Sequence, residues 1–202
     1  MLLANWLVEH SCSPIILDAD RQNTIYFQRD NDEKNFPEME VPYPIIDFPL
    51  DQSQSDISTK LLNLEKDNPE TYIIIDAPGN LNESGLVPCL LAAYMILCPF
   101  QYERKSLDST GTFIVVLDRI LKGKQVKPRM AFLPNRVRIN TGTQAEKEVY
   151  KQVEAIFLQY GEVLPYIKDL QSIMRVNSFM LSKEQNNAVK DCFNKLLELC
   201  QK

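Results

Sequence analysis

The eight residues Tyr72-Ile73-Ile74-Ile75-Asp76-Ala77-Pro78-Gly79 constrain this chain more than any other stretch. β-branched Ile73, Ile74 and Ile75 suit a strand covered on both faces, and Pro78-Gly79 stops it. Asp76 therefore stands at the C-terminal tip of a buried strand, the edge at which open α/β sheets bind ligands. An earlier apolar run, residues 14–17, ends in the same way, in Asp18-Ala19-Asp20.

The rest of the chain alternates between strand-like and helix-like patterns. Leu2, Leu3, Trp6 and Leu7 recur at helical spacing, so the chain opens abruptly in a short helix with no capping residue before it. Residues 21–24 read as a polar loop and residues 30–40 as a charged, mobile segment. A short strand is expected over 43–48 and a helix over 56–66, with Ile57, Leu61 and Leu64 on one face. Residues 80–84 read as a loop, and 86–94 as a helix running into a strand at 95–98. Leu107, Thr110, Ile114, Leu117 and Leu121 are in phase along a helix over 106–121, and a strand follows at 129–133. Thr143 and Glu146 form a capping box that opens another helix, whose apolar stripe is Val149, Val153, Ile156, Phe157 and Tyr160. A last strand, 162–164, precedes Pro165. The closing helix carries Val189, Cys192, Phe193, Leu196, Leu197 and Cys200 on one face. This alternation predicts an α/β fold, a mostly parallel sheet with helices on both faces, with residues 1–202 forming a single domain.

Composition removes several function classes. The five cysteines are odd in number, widely spaced and without a CxxC pair. That pattern argues against a disulfide framework or a zinc site and fits a reducing cytoplasm. A single histidine, His10, excludes a multi-histidine metal centre, and no GxSxG elbow is present. The longest apolar run, 86–100, is broken by Pro88 and is too short to span a membrane. A net charge of −5 does not by itself favour nucleic acid. Lys122, Lys124, Lys127, Arg129, Arg136 and Arg138 nevertheless share a window with no acidic residue, either a solvated face or a surface for phosphates.

Three segments, in order, resemble the ParA/MinD group of deviant-Walker P-loop ATPases. They are the opening helix Leu2-Leu3-Ala4-Asn5-Trp6-Leu7, the strand end Ile15-Ile16-Leu17-Asp18-Ala19-Asp20-Arg21-Gln22, and Ile73-Ile74-Ile75-Asp76-Ala77-Pro78-Gly79. Cys98-Pro99-Phe100-Gln101, Leu133-Pro134-Asn135-Arg136 and Leu164-Pro165 are similar to later strand ends of that group. The resemblance implies a P-loop NTPase fold of the SIMIBI type, with ATP and Mg2+ as cofactors. Asp76 would hold the metal and Asp20 would position the attacking water. Asn135 and Pro165 would lie at the adenine, and Gly79 would let a switch segment move. Each also has a plain reading: Asp76, Asp20 and Asn135 as turn residues, Gly79 as a turn glycine. Asp18 is expected to end its strand and hold the turn. The implied behaviour is an ATP-driven homodimer working in DNA segregation or cargo positioning. A DNA-binding adaptor would be its partner, and the basic window would contact DNA non-specifically.

The chain departs from the group in two places. Arg21 stands where partition ATPases commonly have proline. The glycine-rich KGGxGK(S/T) loop, expected just before Met1, does not occur anywhere in the sequence; Gly123-Lys124 follows a helix instead of opening one. That loop cradles phosphates with backbone N–H groups and reaches them with a lysine. The expectation is a chain that starts at an internal methionine, lacks the first strand, and is inactive as an ATPase unless an upstream loop is restored. The alternatives are a natural short form acting as a non-catalytic interaction protein, and a metabolic P-loop relative of the dethiobiotin-synthetase or cobyrinate-amidase kind.

Overall fold

Ile15, Ile16 and Leu17 are almost fully buried, and their strand, β1 (Ser13–Asp18), is the centre of a parallel three-stranded sheet. These findings come from a computed structural model that describes residues 1–79, 83–125, 127–138 and 143–201. The chain divides into two compact units, Met1–Ala92 with Ser172–Asn186 and Ala93–Gln171 with Asn187–Lys202.

In the first unit β1 lies between β2 (Ile45–Asp47) and β3 (Thr71–Asp76), with parallel pairing from Ser13↔Thr71 to Asp18↔Asp76. The strand expected to be covered on both faces, β3, is half-buried along its length, because within this sheet it is an edge strand. Helix α1 (Leu2–Glu9) covers one face, where Ala4, Ile16 and Tyr43 form a buried cluster joined by Val8, Ile25, Ile45 and Ile74. Helix α3 (Gln54–Asp67) is capped by Ser53, whose hydroxyl accepts the Asp56 N–H, and it buries Ile57 and Leu61. Helix α4 is Leu86–Ala92.

Residues 30–35 of the segment expected to be mobile lie instead in helix α2 (Thr24–Asn35), although its polarity shows almost no helical partition. One buried cation anchors it. Arg29 donates from Nε to Ser178 Oγ (2.8 Å), from Nη1 to the Tyr43 carbonyl (2.8 Å) and from Nη2 to the Ser178 carbonyl (2.7 Å). Its guanidinium also lies 4.7 Å from the Tyr43 ring centroid. Buried Asn5 completes the network, donating to the carbonyls of Asn177 and Met180 and accepting from the Tyr43 hydroxyl at 2.6 Å. Every group in the network has a partner, so burying it is not penalised.

The second unit holds another parallel sheet, β4 (Met95–Phe100), β5 (Arg129–Pro134) and β6 (Glu162–Val163), in that order. Helices α5 (Arg104–Leu121) and α6 (Gln144–Phe157) pack on it through a cluster of Phe100, Ile114, Phe132 and Phe157. The capping box at Thr143–Glu146 is present as the sequence implies. Helix α7 (Lys183–Cys200) buries Val189, Cys192, Phe193 and Leu196. Among the described residues no helix is long and apolar enough to cross a membrane.

Two glycines are required by close approach. A Cβ on Gly85 would lie 2.2 Å from the Leu50 carbonyl oxygen, and one on Gly161 would lie 2.2 Å from that of Met130. Gly79 meets nothing within 4 Å. Gly85→Ala and Gly161→Ala are each expected to cost about 1–3 kcal/mol in urea unfolding, and Gly79→Ala close to nothing. Burial also pushes the thiols of Cys89 and Cys98 up to about 11 and that of Cys192 to about 12, from an ordinary 9.0. The folded chain keeps these protons where the unfolded chain releases them, so their contribution is complete below pH 9 and is lost as pH rises towards 12. A melting temperature that falls through that window is the expected observation.

Candidate functional site

The two acidic strand ends meet. Asp18 and Asp76 are register partners on adjacent parallel strands, and the Ala19 N–H donates to the Asp76 carbonyl at 3.0 Å. Partners in register share a sheet face, so the two carboxylates stand side by side. Asp47 of β2 is in turn the register partner of Asp18. Three aspartates thus line the C-terminal edge of one sheet, and Asp20 follows two residues after Asp18.

Their hydrogen bonds differ. Asp18 is wholly buried; its Oδ2 accepts the Tyr26 N–H at 2.9 Å and so fixes the first turn of α2. Its Oδ1 is buried with no hydrogen-bond partner. The Asp20 carboxylate accepts the Gln22 N–H at 3.2 Å, and its carbonyl accepts the Asn23 N–H. Asn23 then enters α2 from the left-handed region, φ 46°.

Charge around Asp76 is crowded. Burial pushes its carboxyl up, the Met1 ammonium pulls it back, and the Asp18 and Asp20 carboxylates add to the rise. The Met1 amine is itself pushed down by burial and held up by Asp76 and Asp18. Helix α1 therefore starts beside the aspartates, presenting the end of a helix that carries partial positive charge. A further tie crosses between the two strand-end loops. Arg21 Nε pairs with Glu83 Oε1 at 2.9 Å, giving a partner to the residue that departs from the family pattern. Gly79 lies just after Pro78 without a left-handed φ, and residues 80–82 lie outside the described residues.

In the second unit Asn135 and Pro165 follow the adjacent strands β5 and β6. Asn135 is tied into its own turn: its N–H donates to the Phe100 carbonyl at 2.8 Å, and its Oδ1 accepts the Arg136 N–H at 2.9 Å. Arg136 adopts φ 55° there. Strand β5 also divides the basic window. Lys122, Lys124, Lys127 and Arg129 lie at or before its start, whereas Arg136 and Arg138 lie past its end, about 20 Å away at strand rise. Arg129 donates to the Leu199 carbonyl and Arg138 pairs with Asp169 at 2.7 Å.

Solved structures share this fold. A McdA–ATP complex from Cyanothece superposes with a TM-score of 0.72 at 15% identity, over 98% of this chain and 89% of that one. The MinD cell division protein of Aquifex aeolicus gives 0.71 at 13% identity, over 98% and 89%. A plasmid partition protein from Borrelia burgdorferi bound to AMPPNP gives 0.66 at 15% identity, over 98% and 91%. The fold is of the ParA/MinD type. No family model matches the sequence, and no curated protein matches it closely enough to count.

The residues at this strand edge fit a hard cation. Their donors are carboxylate oxygens, and one of them, Asp18 Oδ1, is buried without a partner. Among the described residues no group of three or more His, Cys, Asp or Glu side chains is placed to hold a metal ion by itself. Asp76 with retained waters, the way magnesium is usually held, is the arrangement these residues allow.

Three features escaped sequence reasoning: Asp47, the Met1 amine beside Asp76, and the Arg21–Glu83 pair. An aspartate ending a three-residue strand was the only signal for the first; the other two needed coordinates. The unequal hydrogen bonding of the aspartates is testable. Asp18→Ala strands the Tyr26 N–H and is expected to cost about 1.5–3 kcal/mol in chemical denaturation, the range for charged hydrogen bonds. Asp20→Ala frees only an exposed loop N–H and is expected to cost clearly less.

Proposed function

We propose that this chain is the switch domain of a ParA/MinD-type partition or positioning ATPase. The observation that carries the reading is the Asp18↔Asp76 register beside the start of α1, which gathers carboxylates and a helix N-terminus at one strand edge. That combination suits a metal-bound polyphosphate: the helix end favours phosphate oxygens and the carboxylates favour the cation. Mg2+ held by Asp76 through water would neutralise charge on the phosphates. Asp20 would orient the attacking water, a task of positioning more than of covalent chemistry. Asn135 and Pro165 would border the adenine, and Gly79 would belong to the segment that responds to the terminal phosphate.

The output of this reading is a homodimer formed with ATP and released on hydrolysis, carrying DNA or another cargo through an adaptor, with residues 1–202 acting as one domain. Of the basic residues, those before β5 and those after it would contact DNA as two separate groups. A second reading, a non-catalytic interaction protein on the same fold, is favoured by one observation: the 202 residues contain no GxxxxGK(S/T).

Equilibrium titration with a fluorescent ATP analogue and Mg2+ separates the two. The 202 residues as given are expected to show no binding, because they contain no GxxxxGK(S/T) loop to cradle phosphates. A version with a strand and a KGGxGK(S/T) loop grafted ahead of Met1 is expected to bind, and to lose binding on Asp76→Ala. A grafted chain that fails to bind, or binds equally with Asp76 replaced, would exclude the ATPase reading.

A further inference from the structure

Prolines interrupt the β1–β2 ladder at its start. The Ile16 N–H donates to the Pro44 carbonyl at 3.1 Å, and the pairing begins at Ile16↔Ile45. Two residues earlier, the same parallel pattern needs the N–H of residue 14 for the Pro42 carbonyl and that of residue 44 for the Pro14 carbonyl. Both positions are proline, which has no N–H. No hydrogen bond from another described residue reaches either oxygen. The strand pair therefore opens with two carbonyl acceptors that the fold leaves without donors.

Those residues border a cavity. A pocket of about 500 Å³, lined by Pro14, Pro42 and Pro44, lies at the start of β1. Asp18 and the other strand-end aspartates are at the far end of that strand, roughly 16 Å away. Asn68 also lines the pocket; its amide nitrogen donates to the Leu64 carbonyl at 2.9 Å, which leaves Oδ1 as an acceptor. The hydroxyls of Ser11, Ser13 and Thr71 complete the polar lining and make no hydrogen bond to another described residue. Val8 and Ile15 add apolar wall, and no lining residue is charged.

This lining defines the chemistry of a ligand. The Pro14 and Pro42 carbonyls and Asn68 Oδ1 only accept, so they call for N–H donors, whereas the hydroxyls can donate to an oxygen. An anion would face carbonyl oxygens. A cation would leave water with no carboxylate to pair it. A carboxamide meets each condition, because it is uncharged and carries N–H donors beside an acceptor oxygen. We propose that the pocket binds an uncharged small molecule bearing a carboxamide. Its N–H groups go to the Pro14 and Pro42 carbonyls and its oxygen to the hydroxyls, while a ring or short aliphatic body lies against Val8, Ile15 and the proline rings. The volume is that of a small-molecule site. The pocket and the aspartates occupy opposite ends of β1, so this site is independent of the ATPase reading.

Titration of the 202-residue chain with benzamide, followed by proton–nitrogen correlation NMR, tests it. The amides of Val8, Cys12, Ser13 and Thr71 are expected to shift and saturate, with a dissociation constant of roughly a millimolar for so small a probe. N,N-dimethylbenzamide, which lacks the N–H donors, and the charged benzoate and benzylammonium ions are each expected to bind at least about tenfold more weakly. Pro44→Ala supplies an N–H for the Pro14 carbonyl and Pro14→Ala one for the Pro42 carbonyl. Each closes the ladder from within and is expected to weaken benzamide about tenfold with circular dichroism unchanged. Thr71→Val leaves the ladder as it is, removes one hydroxyl, and is expected to weaken benzamide about fivefold. The absence of any saturable shift, with water alone satisfying the two carbonyls, would overturn the proposal. So would equal binding of benzamide and N,N-dimethylbenzamide, tighter binding of benzylammonium, or an affinity that none of the three substitutions changes.

Discussion

The parallel pairing of β1 with β3 is the constraint on which the site depends. Its register runs unbroken from Ser13↔Thr71 to Asp18↔Asp76. A slip of one residue would turn one of the two aspartates to the other sheet face. It would also expose the isoleucines and leucine that hold the strands in the core. The same hydrophobic pattern that buries Ile16 and half-buries Ile74 thus sets two carboxylates side by side at the strand edge, where their mutual repulsion alone would separate them.

Crowded carboxylates need compensation, and the first unit supplies it from two sources. The start of α1 brings a positive helix end and the Met1 amine to Asp76 and Asp18. The Tyr26 N–H satisfies one oxygen of Asp18. That second interaction requires α2 to exist as a helix, and α2 is tied down by Arg29, by Asp32, whose carboxylate accepts the Ser178 N–H, and by Gln28, which donates to the Val176 carbonyl. A residue far from the strand tips in function is therefore linked to their geometry: Arg29 fixes α2, α2 presents Tyr26, and Tyr26 orients Asp18. Buried polar networks of this kind are stable because each member is fully satisfied.

Much of the element order was legible in the residues. The capping box at Thr143, the apolar phase of Leu107 to Leu121 and the β-branched run of Ile73 to Ile75 each carry a local physical signal strong enough to survive packing. Residues 30–35 misled because their composition is charged and their helix carries almost no apolar partition; α2 exists through tertiary hydrogen bonds that a local reading does not see. The helix and capping box of α6 are as the sequence implies. The period of its apolar stripe is helical, yet periodicity does not say how much of a stripe the core will cover. The basic window is divided by β5 in a way a local reading does not see: residues close in sequence lie at opposite ends of a strand when six of them are extended.

The residue order by itself determined an alternating α/β chain, two strands ending in aspartate, and the ParA/MinD resemblance, because hydrophobic period and turn chemistry act over a few residues. Tertiary structure alone decided which strand lies at the centre of the first sheet, that Asp47 joins Asp18 and Asp76, and that Arg21 reaches Glu83. It also decided that half of the α6 stripe stays in water. Those outcomes depend on register and on which surfaces meet, and both are set by contacts between residues distant in the chain.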